Sequence, residues 1–213
     1  IHDLTLSGSY KWLQFMISYQ REKDAILYIT EQYKKNPAIT TVTHRNFNRI
    51  DNFSAFLTAS PAVGSWHPQL TVGVQKQWAK IEHNGETLQM DTPLFFCTLN
   101  NGIQLPYHWT LSTDINFQSK GDYQNIYMYQ NVFMMNATLT KSFLNEHLSI
   151  HLQGIDLTHG RKDGNRIYNK HMNMDVANVS DSRELRFTIR YKFNTAKSKY
   201  KGKGAATEEI KRL

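Results

Sequence analysis

The sequence predicts an all-β fold, an antiparallel transmembrane β-barrel segment of about nine strands, and three observations carry that expectation. Residues 183–193 alternate Leu185, Phe187, Ile189, Tyr191 and Phe193 against Glu184, Arg186, Thr188, Arg190 and Lys192. Successive side chains on a strand point to opposite faces, so this strand is oily on one side and charged on the other. The same alternation recurs along the chain, and aromatic residues gather near the strand ends, as a membrane interface favours.

In chain order, residues 4–12 set Leu4, Leu6, Gly8, Tyr10 and Trp12 against Thr5, Ser7, Ser9 and Lys11. The phase then slips, and Leu13, Phe15, Ile17 and Tyr19 carry the apolar face, which marks a very tight turn at Trp12 and Leu13. The second strand continues through residues 25–29 to a turn at residues 34–37, and the chain starts back at Ile39, giving a long hairpin that projects past the bilayer. The third strand carries Phe53, Ala55, Leu57 and Ala59 on one face. A turn over residues 61–68 follows, where Pro61, Pro68 and Gly64 oppose ladder pairing. Leu70, Val72, Val74 and Trp78 mark the fourth strand, and Asn84-Gly85 is a type I′ hairpin signal.

Phe95, Cys97, Leu99, Ile103 and Leu105 mark the fifth strand, with Asn101 breaking the oily row. A turn at residues 105–108 leads to the sixth, with Trp109, Leu111, Ile115 and Phe117. After turn candidates at residues 120–122 the seventh carries Phe133, Met135, Ala137, Leu139 and Phe143. A short turn at residues 144–147 precedes the eighth, with Leu148, Ile150 and Leu152, whose loss of phase at Gly154 predicts a bulge. A polar stretch over residues 159–181 leads to the ninth strand.

Composition alone does not separate this fold from a soluble one. The 213 residues are 40% hydrophobic, and a barrel wall that is half lipid-facing and half water-facing averages to such a value. No apolar run is long enough for a spanning helix. The chain starts at Ile1 with no charged, then apolar, leader, which predicts a processed product or a fragment. The single Cys97 excludes an internal disulfide and reads as a small strand residue. Much of the formal charge of +7 sits in a basic tail with Lys197, Lys199, Lys201, Lys203, Lys211 and Arg212. No nucleic-acid-binding signature accompanies it, so nucleic acid is not an expected partner.

The connections alternate in length. Outer-membrane barrels have short periplasmic turns and longer external loops, so the short turns and the end of strand nine are assigned to the periplasm. Trp12, Trp66, Tyr107, Trp109, Phe143 and Phe193 then form one girdle, and Trp78, Phe95, Phe117 and Phe133 the other.

The C-terminal stretch over residues 185–194, the segment Lys197-Ser198-Lys199-Tyr200-Lys201-Gly202 and the ending Glu208-Glu209-Ile210-Lys211-Arg212-Leu213 resemble the end of TonB-dependent outer-membrane receptors of Bacteroidota. Asp24-Ala25-Ile26 and the turn with Trp66 extend the resemblance along the chain. It implies that residues 1–193 are the C-terminal part of a barrel of about 22 strands and that residues 194–213 are a basic periplasmic tail. It also implies import of a scarce nutrient, with upstream barrel and plug segments, outer-membrane lipid and the TonB complex as partners. No plug and no TonB-contacting segment is found in these residues. Rival readings are a complete small barrel with a structural or adhesion role and a soluble β-sandwich binding module.

Side chains with chemical potential give no catalytic pattern, and no enzyme, cofactor or metal site is expected. His147 and His151 are four apart, which on a strand separates them by roughly 13 Å, too far for one metal ion. His159 and His171 share the polar stretch, where ligand capture is the alternative to solvation. Asp114 and Glu184 fall on the charged face, and their spacing supports no acid–base pair. Arg186, Arg190 and Lys192 are expected to line an aqueous path or meet acidic plug residues. Gly160, Gly164, Gly202 and Gly204 form no phosphate-binding fingerprint. The residues that bind substrate are not legible.

Overall fold

The computed structural model describes residues 1–33, 35–83, 85–168 and 172–193; the basic tail and His171 lie outside the described residues. The strands, in order, are β1 (His2–Tyr10), β2 (Leu13–Tyr33), β3 (Asn36–Ala59), β4 (Trp66–His83), β5 (Glu86–Met90), β6 (Leu94–Leu105) and β7 (Trp109–Gln118). They continue with β8 (Gly121–Tyr123), β9 (Ile126–Met128), β10 (Val132–Phe143), β11 (Leu148–Ile155), β12 (Lys162–Tyr168), β13 (Asn173–Val179) and β14 (Glu184–Tyr191). The main sheet is antiparallel, in the order β1-β2-β3-β4-β6-β7-β10-β11-β14, with β5 paired to the upper part of β4. Each of the nine strands expected from the alternation lies on this path.

At one end the connections are tight. Tyr10 faces Leu13, and Lys11 takes a positive φ of 54°, as a two-residue hairpin requires. Tyr107 and His108 both have φ of 60°, and Leu144, Asn145 and Glu146 follow suit in the next turn. At the other end β2 and β3 run on to Tyr33 and Asn36, well beyond the ~10 residues that a tilted strand needs to cross hydrocarbon.

The exposure pattern decides which solvent the wall meets. Leu185, Phe187 and Ile189 are 75%, 63% and 61% exposed, where a soluble sandwich would bury such a row under a second sheet. By register the row continues through Leu152, Leu139 and Leu111 to Ile103. The buried apolar cluster instead lies at the long-hairpin end: Ala25, Leu27, Ile50, Ala79, Ile81 and Met90.

That cluster exists because the chain changes faces at Asp24, whose φ is 54°. Below it Phe15 and Ile17 point outward, while Ser18, Gln20 and Glu22 point inward; above it Leu27 lines the same inward recess as those three. The register with β3 is unbroken, Lys23 facing Arg49 and Ala25 facing Phe47.

Several local expectations are corrected. The polar stretch over residues 159–181 and the turn candidates at residues 120–122 are not bare loops. They contribute to a four-stranded sheet in the order β13-β12-β9-β8, which covers the apolar cluster through Tyr127 and Tyr168. The Asn84-Gly85 hairpin signal opens onto β5, a strand not anticipated; Gly85 has φ of 83°, and Asn84 lies outside the described residues.

Pro68 belongs to β4 rather than to the turn, facing Asn101 where β4 has a strand neighbour on one side only, since β3 ends opposite Leu70. Gly154 holds no bulge: it stays in register with Ala137 and Leu185, and Leu157 folds back to within 2.6 Å of where a Cβ would stand. Asn101 is accounted for, because it accepts from Trp66 Nε1 at 3.2 Å and donates to Thr113 Oγ1 at 3.0 Å, so its amide is satisfied on the outward face.

Two neighbouring substitutions in β10 should diverge. Leu139 points outward between Leu111 and Leu152, and Thr138 inward between Ser112 and Gln153. Leu139→Lys should cost about 2–4 kcal/mol in a bilayer, and Thr138→Lys less than about 1 kcal/mol. Reversible urea unfolding of the intact protein in lipid vesicles measures both; equal losses would mean that protein covers both faces.

Candidate functional site

The inner face of the wall is polar from strand to strand. Thr58 and Thr71 hydroxyls meet at 2.9 Å, Ser54 donates to Ser18 at 3.4 Å, and Thr98 donates to Asn116 at 3.2 Å. These groups satisfy one another sideways, as a wall facing water does. Beneath the small sheet this face opens into a recess of about 300 Å³. Its walls are Gln20 and Glu22 from β2, Asn52 and Ser54 from β3, and Gln75 from β4, with residues 122–124 as its roof.

The roof is fixed by polar contacts as well as by the apolar cluster. Buried Gln77 donates through Nε2 to the Gln124 carbonyl at 2.7 Å and accepts from the Gln124 amide at 2.6 Å. The Asp122 carboxylate accepts from the Thr92 amide at 2.8 Å, and the Asp122 amide donates to the Thr92 carbonyl at 2.9 Å. Asn125 donates to the carbonyls of Tyr168 and Tyr28 at 3.2 and 3.4 Å. Burying such groups is tolerated because they are paired. The recess therefore offers amide and hydroxyl groups plus the Glu22 carboxylate, a set suited to a hydroxyl-rich or amine-bearing solute.

A second anchor holds the connection from β11 to β12. The Asp156 carboxylate, itself buried, accepts from the Gly160 amide at 2.7 Å, from the Arg161 amide at 3.3 Å and from the Ser182 hydroxyl. Burial alone would raise its pKa, but the Ser182 hydroxyl and the Gly160 and Arg161 amides outweigh it and hold the carboxyl below its ordinary value. Gly160 is required there, since a Cβ would stand 1.6 Å from the Phe133 carbonyl oxygen.

The residues singled out from sequence mostly stay apart. Asp114 and Glu184 both reach the inner face but on β7 and β14, three strand spacings or roughly 14 Å away. Glu184 is held by Arg186 at 2.9 and 3.0 Å, so Arg186 already has a carboxylate partner in its own strand. His151 has both ring nitrogens engaged, with Thr140 at 3.0 Å and Ser149 at 2.9 Å, and His147 sits in the turn before β11. His159 Nδ1 is buried without a hydrogen-bond partner among the described residues. No group of three or more potential metal ligands occurs among the described residues. Sequence reasoning missed the recess, because Gln77 and Gln124 are 47 positions apart.

An apolar exterior, a polar interior and a ladder of antiparallel strands with tight turns at one end define the wall of a membrane-spanning β-barrel. Residues 1–191 match the model of the outer membrane protein beta-barrel family, and the chain belongs to that family. Neither the curated proteins nor the solved structures include a match.

Asp156 makes the upper connection acid-sensitive. Its carboxyl is more acidic folded than unfolded, so the stability it adds is present above its unfolded value near pH 4 and disappears as pH falls through its folded value. Protection of the Gly160 and Arg161 amides from hydrogen exchange, taken relative to the intrinsic rate at each pH, should fall below about pH 4. In Asp156→Asn the exchange should already be faster at pH 7 and lose this acid step.

Proposed function

We propose that this chain forms the C-terminal wall of a TonB-dependent outer-membrane receptor of the Bacteroidota type, importing a scarce nutrient and catalysing no reaction. The observation that carries the reading is the inward recess roofed by residues 122–124, a polar binding surface mounted on the inner face of a barrel wall. β1 and β14 each pair with one neighbour among the described residues. Strand edges left open in hydrocarbon cost several kcal/mol for each unpaired group, which supports further strands closing a larger barrel of about 22 strands around a plug. The tight turns then face the periplasm and the long hairpins the exterior, with Arg190 and Lys192 toward the lumen. Outer-membrane lipid, the plug and, through it, the TonB complex are the partners this reading requires.

A small barrel with an adhesion role is the second reading, favoured by exposed Ile26, Tyr28 and Val42 on the projecting hairpin. Uptake of labelled nutrients by whole cells separates the two. Under the import reading, deleting the gene and disabling the TonB system each abolish accumulation of the same solute, and Glu22→Ala with Gln75→Ala in the intact protein weakens its binding about tenfold or more. Undiminished uptake in both deletions, with loss of surface attachment instead, would replace import by adhesion.

A further inference from the structure

The outward face carries a cationic cluster that solute import does not use. Arg21 and Lys23 on β2, Arg49 on β3, and Lys76 and Lys80 on β4 share the face of Phe15 and Ile17 by alternation. Across the ladder Arg21 stands opposite Asp51, Lys23 opposite Arg49, Asp51 opposite Trp78, and Phe53 opposite Lys76. Asp91, which accepts from the groove-lining Gln89 Nε2 at 2.9 Å, and Glu82 beside Lys80 flank the cluster, and the carboxylate within it is Asp51, which is buried, accepting from Arg21 Nε at 2.9 Å and from Arg49 Nε at 2.6 Å. It thereby holds two guanidinium groups side by side while 39% of one side chain and 52% of the other stay exposed. The side chains of Lys23 and Lys80 make no ion pair or hydrogen bond among the described residues. Between Arg49, Asp51, Trp78, Lys80 and Gln89 lies an open groove of about 450 Å³.

Height on the wall says what the groove meets. From Trp12 to Arg21, and from Trp66 to Lys76, the chain advances by about the number of residues that cross the hydrocarbon. The cluster therefore stands where acyl chains give way to headgroups. Tyr19 and Trp78 mark that level as interfacial aromatics do, with Arg21 over the Tyr19 ring at 5.8 Å and Lys76 over the Trp78 ring at 5.3 Å. Neighbouring cations in excess of their carboxylate repel one another until an anion comes between them, and paired guanidiniums suit phosphate oxygens. Directly below the cluster the outward row is apolar, with Val74 and Phe95 paired across β4 and β6, so an occupant anchored by acyl chains is favoured over a free ion.

We propose that this groove binds the phosphate-bearing headgroup of a lipid in the external leaflet. The leaflet, though not the groove, rests on the orientation given above. The test uses the intact protein, detergent-extracted and then loaded in nanodiscs with phosphatidylglycerol or phosphatidylcholine, with retained lipid read by native mass spectrometry. The protein should keep phosphatidylglycerol and shed phosphatidylcholine. Lys23→Gln with Lys80→Gln, which breaks no internal pair, should lower retention about tenfold or more, whereas Arg190→Gln with Lys192→Gln on the inner face should leave it intact. Unchanged retention in the first variant, or an equal fall in the second, overturns the site. Displacement by millimolar inorganic phosphate overturns the lipid assignment in favour of a free anion. Lys80→Cys should react with an impermeant thiol reagent on whole cells; reaction only after permeabilisation reverses the leaflet. Because none of these readouts involves uptake, failure of the import reading and failure of this one are told apart.

Discussion

Everything in this wall depends on pairing the backbone without water. In hydrocarbon each amide and carbonyl must find a partner within the ladder, and the continuous registers of the membrane-level parts of the strands, such as Leu13 to Lys23 of β2 against β3, meet that demand on the internal strands. Once the backbone is satisfied in this way, the side chains are free to answer to two media, lipid on one face and water on the other. Two polar groups that face outward nearer the tight turns, Asn101 and Lys141, follow the same rule. Asn101 is satisfied by Trp66 and Thr113, and Lys141 reaches the Tyr107 carbonyl while lying over the Trp109 and Phe143 rings, which brings its charge to the interface.

Where the strands leave the membrane the rules of a water-soluble protein return. The small sheet buries an apolar cluster against the upper parts of β2, β3, β4 and β5, and its polar edge is tied down by Gln77, Asn125 and Asp122. The cross-strand pair of Arg166 with Asp175, at 2.7 and 2.9 Å, adds modest support on its exposed side. The recess lies at the junction of these two regimes, walled by the barrel and roofed by the small sheet, so its shape depends on both.

Much of the wall was legible in the sequence because alternation of period two is a local signal: the rows Leu13, Phe15, Ile17 and Leu185, Phe187, Ile189 can be read without knowing their neighbours. Turn positions were nearly as plain: the tight turn read at Trp12 and Leu13 lies one residue earlier, at Lys11 and Trp12, with Leu13 already in β2. The small sheet was not legible for a physical reason. β8 and β9 are three residues each, too short for a period to show, and β12 and β13 read as polar because an exposed covering sheet needs only a few apolar contacts. At Gly154 the loss of phase was real but its cause was misread; Leu157 closing over the glycine, rather than an inserted residue, ends the pattern. The recess was invisible because long-range pairs such as Gln77 with Gln124 leave no trace in spacing.

Asp24 gives the long hairpin a property that neither half has alone. Because the faces exchange there without any residue being inserted, the membrane half and the projecting half of β2 share a ladder but follow independent hydrophobic codes. The outer half can therefore be lengthened, shortened or rewritten without re-registering the row that meets the acyl chains. The projecting storey could thus vary freely while the foundation in the membrane stays fixed.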